Sequence, residues 1–198
     1  MKTSNYILIA LFAFVTASLL VLFISARGHE NETGLTEKEY PVENIHTIVA
    51  EQKWSVYVHT SDKNSMSVKY PKGKKEPENY YRISNDTLYF LDTAYQNQFI
   101  NLYTNHLSSL VASNANIYFR NYISDKLEIN AVQAHISFQN SSIEEVVIHT
   151  NKSEVSLFST KVESIAGKLM NDSKLRSDSK DIQKIEIEKD NSSKIDLH

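Results

Sequence analysis

Residues 136–149 read ISFQNSSIEEVVIH, and residues 155–168 read VSLFSTKVESIAGK. Apolar residues recur at matching places in the two stretches. Ile136 answers Val155, Phe138 answers Leu157, Ile143 answers Val162, and Val146 answers Ile165. Within each stretch apolar and polar residues alternate, which is the signature of a strand with one face in a core. The echo runs outward in both directions. One set of pairs is Leu110/Ala112, Leu127/Ile129, Val146/Ile148, Ile165/Gly167 and Ile185/Ile187. A second set is Ile117/Phe119, Ile136/Phe138, Val155/Leu157, Leu175/Ser177 and Ile195/Leu197.

A unit of roughly 19–20 residues has no room for a crossover helix and cannot bury its own apolar face, but stacked units can. The expected fold is therefore all-β: a single-stranded β-solenoid in which like residues stack at about 4.8 Å, the spacing of paired strands. Its interior takes the aliphatic and Phe members of these pairs from Leu127 onward, together with Ile143, Val162 and Ile182, and includes Ile185 and Leu197 in the last lap. Asn151, Asn171 and Asn191 are expected to form a corner column, because Asn tolerates positive φ and the chain has only 4 Gly. An antiparallel sandwich is the alternative, since its strands also recur at short intervals. Upstream, Ile45, Ile48/Ala50 and Val56/Val58 give the same corner-strand-strand order. Asn64 to Tyr70 alternates as a strand, and Tyr81 to Phe90 reads as a hairpin turning at Asn85-Asp86. Residues 93–106 give no clear pattern.

Residues 6–24 are free of charge and follow Lys2. Such a run is longer than a signal-peptide core and close to the length of a membrane span. Residues 1–26 are read as an N-terminal transmembrane helix or, alternatively, a cleaved signal segment. Residues 27–42 are read as a polar stalk and residues 43–198 as the solenoid domain. The charge bias favours a body outside the cytoplasm. There is no Cys, so disulfides and thiol chemistry are excluded, and a net charge of −3 offers no field for nucleic acid.

The segments IHTIVAEQKWSVYVHTSD (45–62), MSVKY (66–70) and ISNDTLYF (83–90), with the tandem strands from Leu107 to Leu197, resemble a bacterial family. It is the family called "putative auto-transporter adhesin, head GIN domain". The resemblance covers nearly the whole chain after residue 42. It implies an envelope protein of Bacteroidota-like bacteria with a β-solenoid body, and it supplies no catalytic residues.

No catalytic residue, metal ligand set or cofactor is expected. The His residues are scattered, and no nucleophile elbow occurs. Tyr57, Tyr118 and Tyr122 are the candidate contact residues, as exposed aromatics that could pack on sugar rings or a partner protein. The expected partners are the membrane, through the N-terminal helix, and a glycan or envelope protein. A polysaccharide-acting enzyme would have to use Glu144, Glu145 and Glu163, the only plausible paired carboxylates. A third reading is a module that pairs with a partner through a sheet edge. The charges at Lys184, Glu186, Glu188, Lys194 and Asp196 point the other way, toward an edge that repels docking.

Overall fold

The computed structural model describes residues 35–42, 45–72, 80–91, 99–179 and 182–197, together with Thr16 and Ser18. The membrane helix expected over residues 1–26 thus lies outside the described residues, apart from Thr16 and Ser18. No described helix is long and apolar enough to cross a membrane. Glu37–Lys69 and Glu76–His198 form one compact unit. Met1–Thr36 and Tyr70–Lys75 form another, described only at the outer ends of two strands and at Thr16, Ser18 and Lys72. The larger unit holds everything below.

Its elements are strands. In chain order they begin β1 (Leu35–Pro41), β2 (Thr47–Glu51), β3 (Ser55–His59), β4 (Ser65–Pro71), β5 (Tyr81–Ser84), β6 (Thr87–Phe90) and β7 (Phe99–Tyr103). Next come β8 (Ser109–Ser113), β9 (Asn116–Arg120), β10 (Ile123–Val132), β11 (His135–Gln139) and β12 (Ser142–Asn151). The chain closes with β13 (Glu154–Phe158), β14 (Lys161–Met170), β15 (Lys174–Ser177), β16 (Lys184–Lys189) and β17 (Lys194–Leu197). Sheet A runs β1-β4-β7-β3-β9-β11-β13-β15-β17, and sheet B runs β16-β14-β12-β10-β8-β2-β6-β5.

From β8 onward each lap crosses sheet B, turns, crosses sheet A, and lands parallel on the lap before. Phe138 is in register with Phe119 on one side and Leu157 on the other, and all three are fully buried. The Phe119 and Phe138 rings stack at 4.4 Å and 6°. Each such side chain removed from water contributes about 1.5–3 kcal/mol. The expected interior column is present.

The early laps are not in sequence order. The β2–β3 lap lies between two others: β2 pairs with β6 and β8, and β3 pairs with β7 and β9. The chain lays down this lap first, builds β4 to β7 on one side of it, then crosses to start β8 on the other. Residues 93–106 therefore hold β7, a central parallel strand. At this end the solenoid is closed by antiparallel pairing, β4 on β7 and β5 on β6, with Asn85 and Asp86 both at positive φ in the hairpin turn. Residues 35–41, expected within a stalk, form β1 instead. Tyr40 packs edge-on to Tyr80 and Tyr81, and Val42 is buried, so this segment has apolar surface to bury.

The corners also differ from expectation. Positive φ occurs at Asn114, Gln133, Lys152 and Asn171 on one side, and at Asn121, Asn140 and Ser159 on the other. Asn151 is not at a corner of this kind. It ends β12 in register with Met170, and the left-handed residue is its neighbour Lys152. Asn191 is likewise outside the set, and only Asn171 of the three adopts the expected conformation. What favours the strained corner is a hydrogen bond between laps. The N–H of Asn114 donates to Val132 O, Gln133 to Asn151 O, and Lys152 to Met170 O. Buried serines complete the turns. Ser153 Oγ accepts from Ala134 N at 3.1 Å and donates to Asn151 O at 2.9 Å. Ser173 Oγ accepts from Ser153 N and donates to Met170 O. A side-chain column thus makes the turns where Gly would otherwise be needed. Among the described residues geometry demands glycine at Gly167, at φ 128, where a Cβ would lie 1.9 Å from Ile148 O.

The last lap departs from the expected interior. Ile185 is 39% exposed and Leu197 is 47% exposed. They carry the inward pattern, but among the described residues no lap covers them.

Candidate functional site

The outer face of sheet A collects aromatic side chains on four adjacent strands, β7, β3, β9 and β11. Alternation points Phe99, Asn101 and Tyr103 outward from β7, Tyr57 and His59 from β3, and Tyr118 and Arg120 from β9. The intervening Ile100, Leu102, Val56, Val58, Ile117 and Phe119 are buried. Parallel register brings Tyr57 beside Tyr118, and their rings stack at 4.9 Å and 19°. His59 stacks on Tyr103 at 5.2 Å. Phe99 lies 6.0 Å from Tyr57 and is 46% exposed. Arg120 sets its guanidinium over the Tyr57 ring at 4.9 Å.

The stacked pair stands up from the sheet, so its inner faces cover each other. The outer faces are flanked by short polar residues. Tyr57 has Asn101 as its register partner on β7, and Tyr118 has Ser137 on β11, with the His135 ring 6.2 Å away and tilted by 59°. Asn101 is held by donating to Ser67 Oγ at 3.3 Å, and Ser67 in turn donates to Glu37 at 2.7 Å. That bond, with Lys69 beside it, keeps the Glu37 carboxyl below its ordinary range against the opposing effect of burial. Burial pushes the His59 imidazole below its ordinary value, Asn101 opposes this, and the Arg120 charge adds to it.

Sequence reasoning named Tyr57, Tyr118 and Tyr122. The structure brings the first two together but places Tyr122 elsewhere. Tyr122 is fully buried, its ring 5.1 Å from Phe119 and its hydroxyl donating to Leu107 O at 2.8 Å. Burial pushes its phenol up to about 12. It sits at a corner, as expected, but on the interior side, in the position that Ser141 fills one lap later: β12 follows Ser141 as β10 follows Tyr122. Tyr122 is therefore a core residue. Phe99, Tyr103, His59 and Arg120 were missed. Their signal was present in the alternating FINLY of β7, but the interleaved lap hid which strands are neighbours.

The carboxylates considered for catalysis lie on neighbouring strands of sheet B but line no depression. Glu145 pairs with Lys126 at 2.8 Å on the outside of sheet B. Glu144 is exposed on β12 one residue before it, and Glu163 stands at the equivalent place on β14 in the next lap. Among the described residues no group of three or more His, Asp or Glu is placed to hold a metal ion. A shallow depression of about 300 Å³ on sheet B has Val111, Asn130, His149 and Lys168 along one rim and Val132 and Met170 along the other. None of the three glutamates lines it.

No family profile matches the chain, and no curated protein matches it. Solved structures do resemble it. A "putative adhesin" from Bacteroides fragilis superposes with a TM-score of 0.56 at 12% identity, over 83% of this chain and 97% of the other. A "putative lipid binding protein" from Parabacteroides distasonis gives 0.43 at 10% identity, over 83% and 97%. A "putative adhesin" from the same species gives 0.37 at 11%, over 84% and 98%. At these identities the first likeness speaks for the fold, and the other two carry no argument. From residue 35 onward the described residues form an all-β fold, and this solenoid is similar in fold to a protein described as a "putative adhesin".

Proposed function

We propose that this chain is a non-enzymatic cell-envelope protein of the head GIN domain kind. Residues 1–26 anchor it, and the outer face of sheet A binds a glycan or an envelope partner outside the cytoplasm. One observation carries the reading: the Tyr57–Tyr118 stack, built across two laps that are distant in sequence, with Asn101 and Ser137 beside its two outer faces. Ring faces next to short hydrogen-bonding side chains suit a sugar, which offers C–H groups to the ring and hydroxyls to the amide. The fold likeness to a "putative adhesin" supports a surface location. Of the carboxylates of the enzyme alternative, Glu145 is in an exposed ion pair with Lys126 and none of the three lines the depression on sheet B, which gives that alternative no specific support.

The test is glycan-array binding by the full chain in detergent, with Tyr118→Ala as the paired variant. Binding to some glycan that the variant loses, at unchanged thermal stability, is the expected result. Silence on every glycan, or signals indifferent to Tyr118, would overturn the sugar-binding form of the proposal.

A further inference from the structure

We infer that the ligand of this face is an acidic saccharide, one whose ring bears a carboxylate. The inference rests on the binding face proposed above and adds its charge selectivity. The chain has 24 acidic residues in 198, yet β7, β3, β9 and β11 contain none. In these strands the fixed charge is Arg120. Three carboxylates around the rim have partners already. Glu37 takes Ser67 and Lys69, Glu154 takes Arg176 at 2.8 Å, and Asp62 accepts from Asn105 at 3.4 Å. A face meant only to stay soluble would carry both signs, as the outside of sheet B does with Lys126–Glu145 and Lys168–Glu188.

The aromatic chemistry has the same sign. Rings standing on edge turn the positive rim of the quadrupole toward solvent, and the phenol hydroxyls are donors. Arg120 lies two residues along β9 from Tyr118, about 7 Å, and rests on the Tyr57 ring. Resting there it is pre-organised, and the guanidinium fork suits bidentate binding of a carboxylate. A pyranose against either outer face of the stack would bring an exocyclic carboxylate within reach of that fork. Stacked nucleobases would use the same rings, but a chain with net charge −3 supplies no second cation in these strands for a phosphate backbone.

The experiment measures binding of the full chain to immobilised polygalacturonate, to the same polymer with its carboxylates methyl-esterified, and to single-stranded oligothymidylate. Polygalacturonate is expected to bind, with the ester about tenfold weaker, the worth of one charge-assisted hydrogen bond. Arg120→Gln should bring polygalacturonate down to the level of the ester and leave the ester unchanged, and Tyr118→Ala should lose both. Equal binding of acid and ester, or an acid signal that survives Arg120→Gln, overturns the acidic class while leaving a sugar-binding face. Failure of polygalacturonate to bind, with Tyr118-dependent signals confined to neutral glycans, does the same. Tighter binding to oligothymidylate than to either polymer overturns the saccharide. Loss of all Tyr118-dependent binding overturns the face itself.

Discussion

The outer row of sheet A that passes through Tyr118 reads Tyr57, Tyr118, Ser137, Ser156, Arg176 and Asp196 from β3 to β17. Its first half is aromatic. Its second half is ionic, with Arg176 reaching Glu154 at 2.8 Å and Asp196 at 4.0 Å. Behind the row from β3 to β13 runs an inward column, Val58, Phe119, Phe138 and Leu157, buried throughout, which gives way to Ser177 and the half-exposed Leu197 behind Arg176 and Asp196. The stacking of laps dictates the inner column, whereas the outer row is free to vary. Exposed ion pairs are worth only about 0–1 kcal/mol each, so the charged half serves solubility and edge protection more than stability. The aromatic half has no such explanation, because solubility would oppose it. The two ends of the solenoid differ in a parallel way. The early end is closed by antiparallel strands and an aromatic cluster of Trp54, Tyr80 and Phe90. The late end leaves Ile185 and Leu197 open and depends on side-chain carboxylates at its corners.

This contrast can be broken or sharpened by mutation. The largest effect is expected in the middle of the inner column. Phe138→Ala removes a ring packed on both sides and should cost about 3–5 kcal/mol in chemical denaturation, while Leu197→Ala, half exposed, should cost less than about 1 kcal/mol. Similar losses at the two sites would mean that the last lap is as well covered as the rest. Next is Gly167→Ala, which puts a methyl group against the Ile148 carbonyl at a positive φ and should cost about 3 kcal/mol. A silent substitution there would show that β14 does not hold this geometry.

Lys152→Gly works in the other direction. It relieves a left-handed residue whose strain is about 1–2 kcal/mol and should stabilise the chain by about 1 kcal/mol, after the extra unfolded-state freedom of Gly is subtracted. The smallest effect belongs to the late corners. There Asp178 Oδ1 accepts from Ser159 N and Asp190 Oδ2 from Asn171 N, where earlier laps use backbone carbonyls. The bond from Asn171 first, then those from Ser193 and Ser192, hold the Asp190 carboxyl well below its ordinary value of 3.8. A depressed carboxyl contributes its stability above its unfolded value and loses it as pH falls toward the folded one, so the window opens below about pH 4. Asp190→Asn should flatten the acid limb of a stability–pH curve by removing the contribution present above about pH 4, so the variant is less stable than the parent at neutral pH and matches it in acid. An unchanged acid limb would remove Asp190 from the corner.

Much of the solenoid was legible from Ser109 onward because period and alternation both survive there. Phe138 facing Leu157 follows from that repeat alone. What periodicity cannot give is the order of laps. The alternation of Val56/Val58 and Ile100/Leu102 says which side chains face inward, but not that β3 lies between β7 and β9. The binding face depends on that adjacency, so Tyr57 and Tyr118 could be named one by one, whereas their stack with its Asn101 and Arg120 surroundings could not. Tyr122 was misplaced for a related reason. A corner has an inside and an outside, and the small Ser141 at the matching position of the next lap was the clue that this one faces in. The Asn column held only in part: Asn171 donates from Nδ2 to Asn151 Oδ1 at 3.2 Å, but Asn151 and Asn191 do not share its positive φ, because the laps near β15 lengthen from 19 to 20 residues and equal spacing in sequence was not equal position at the corner.

The interleaved lap is the point on which the aromatic face stands, and a chain without Cys allows a direct test. Ser55 and Asn116 are register partners on β3 and β9, and paired strands hold Cα atoms within disulfide range. In the double variant Ser55→Cys/Asn116→Cys, mild oxidation should close an intramolecular disulfide that consumes both thiols and leaves the chain monomeric. Two thiols that stay free in the folded protein, or that link only between chains, would contradict the placement of the first lap and with it the Tyr57–Tyr118 stack.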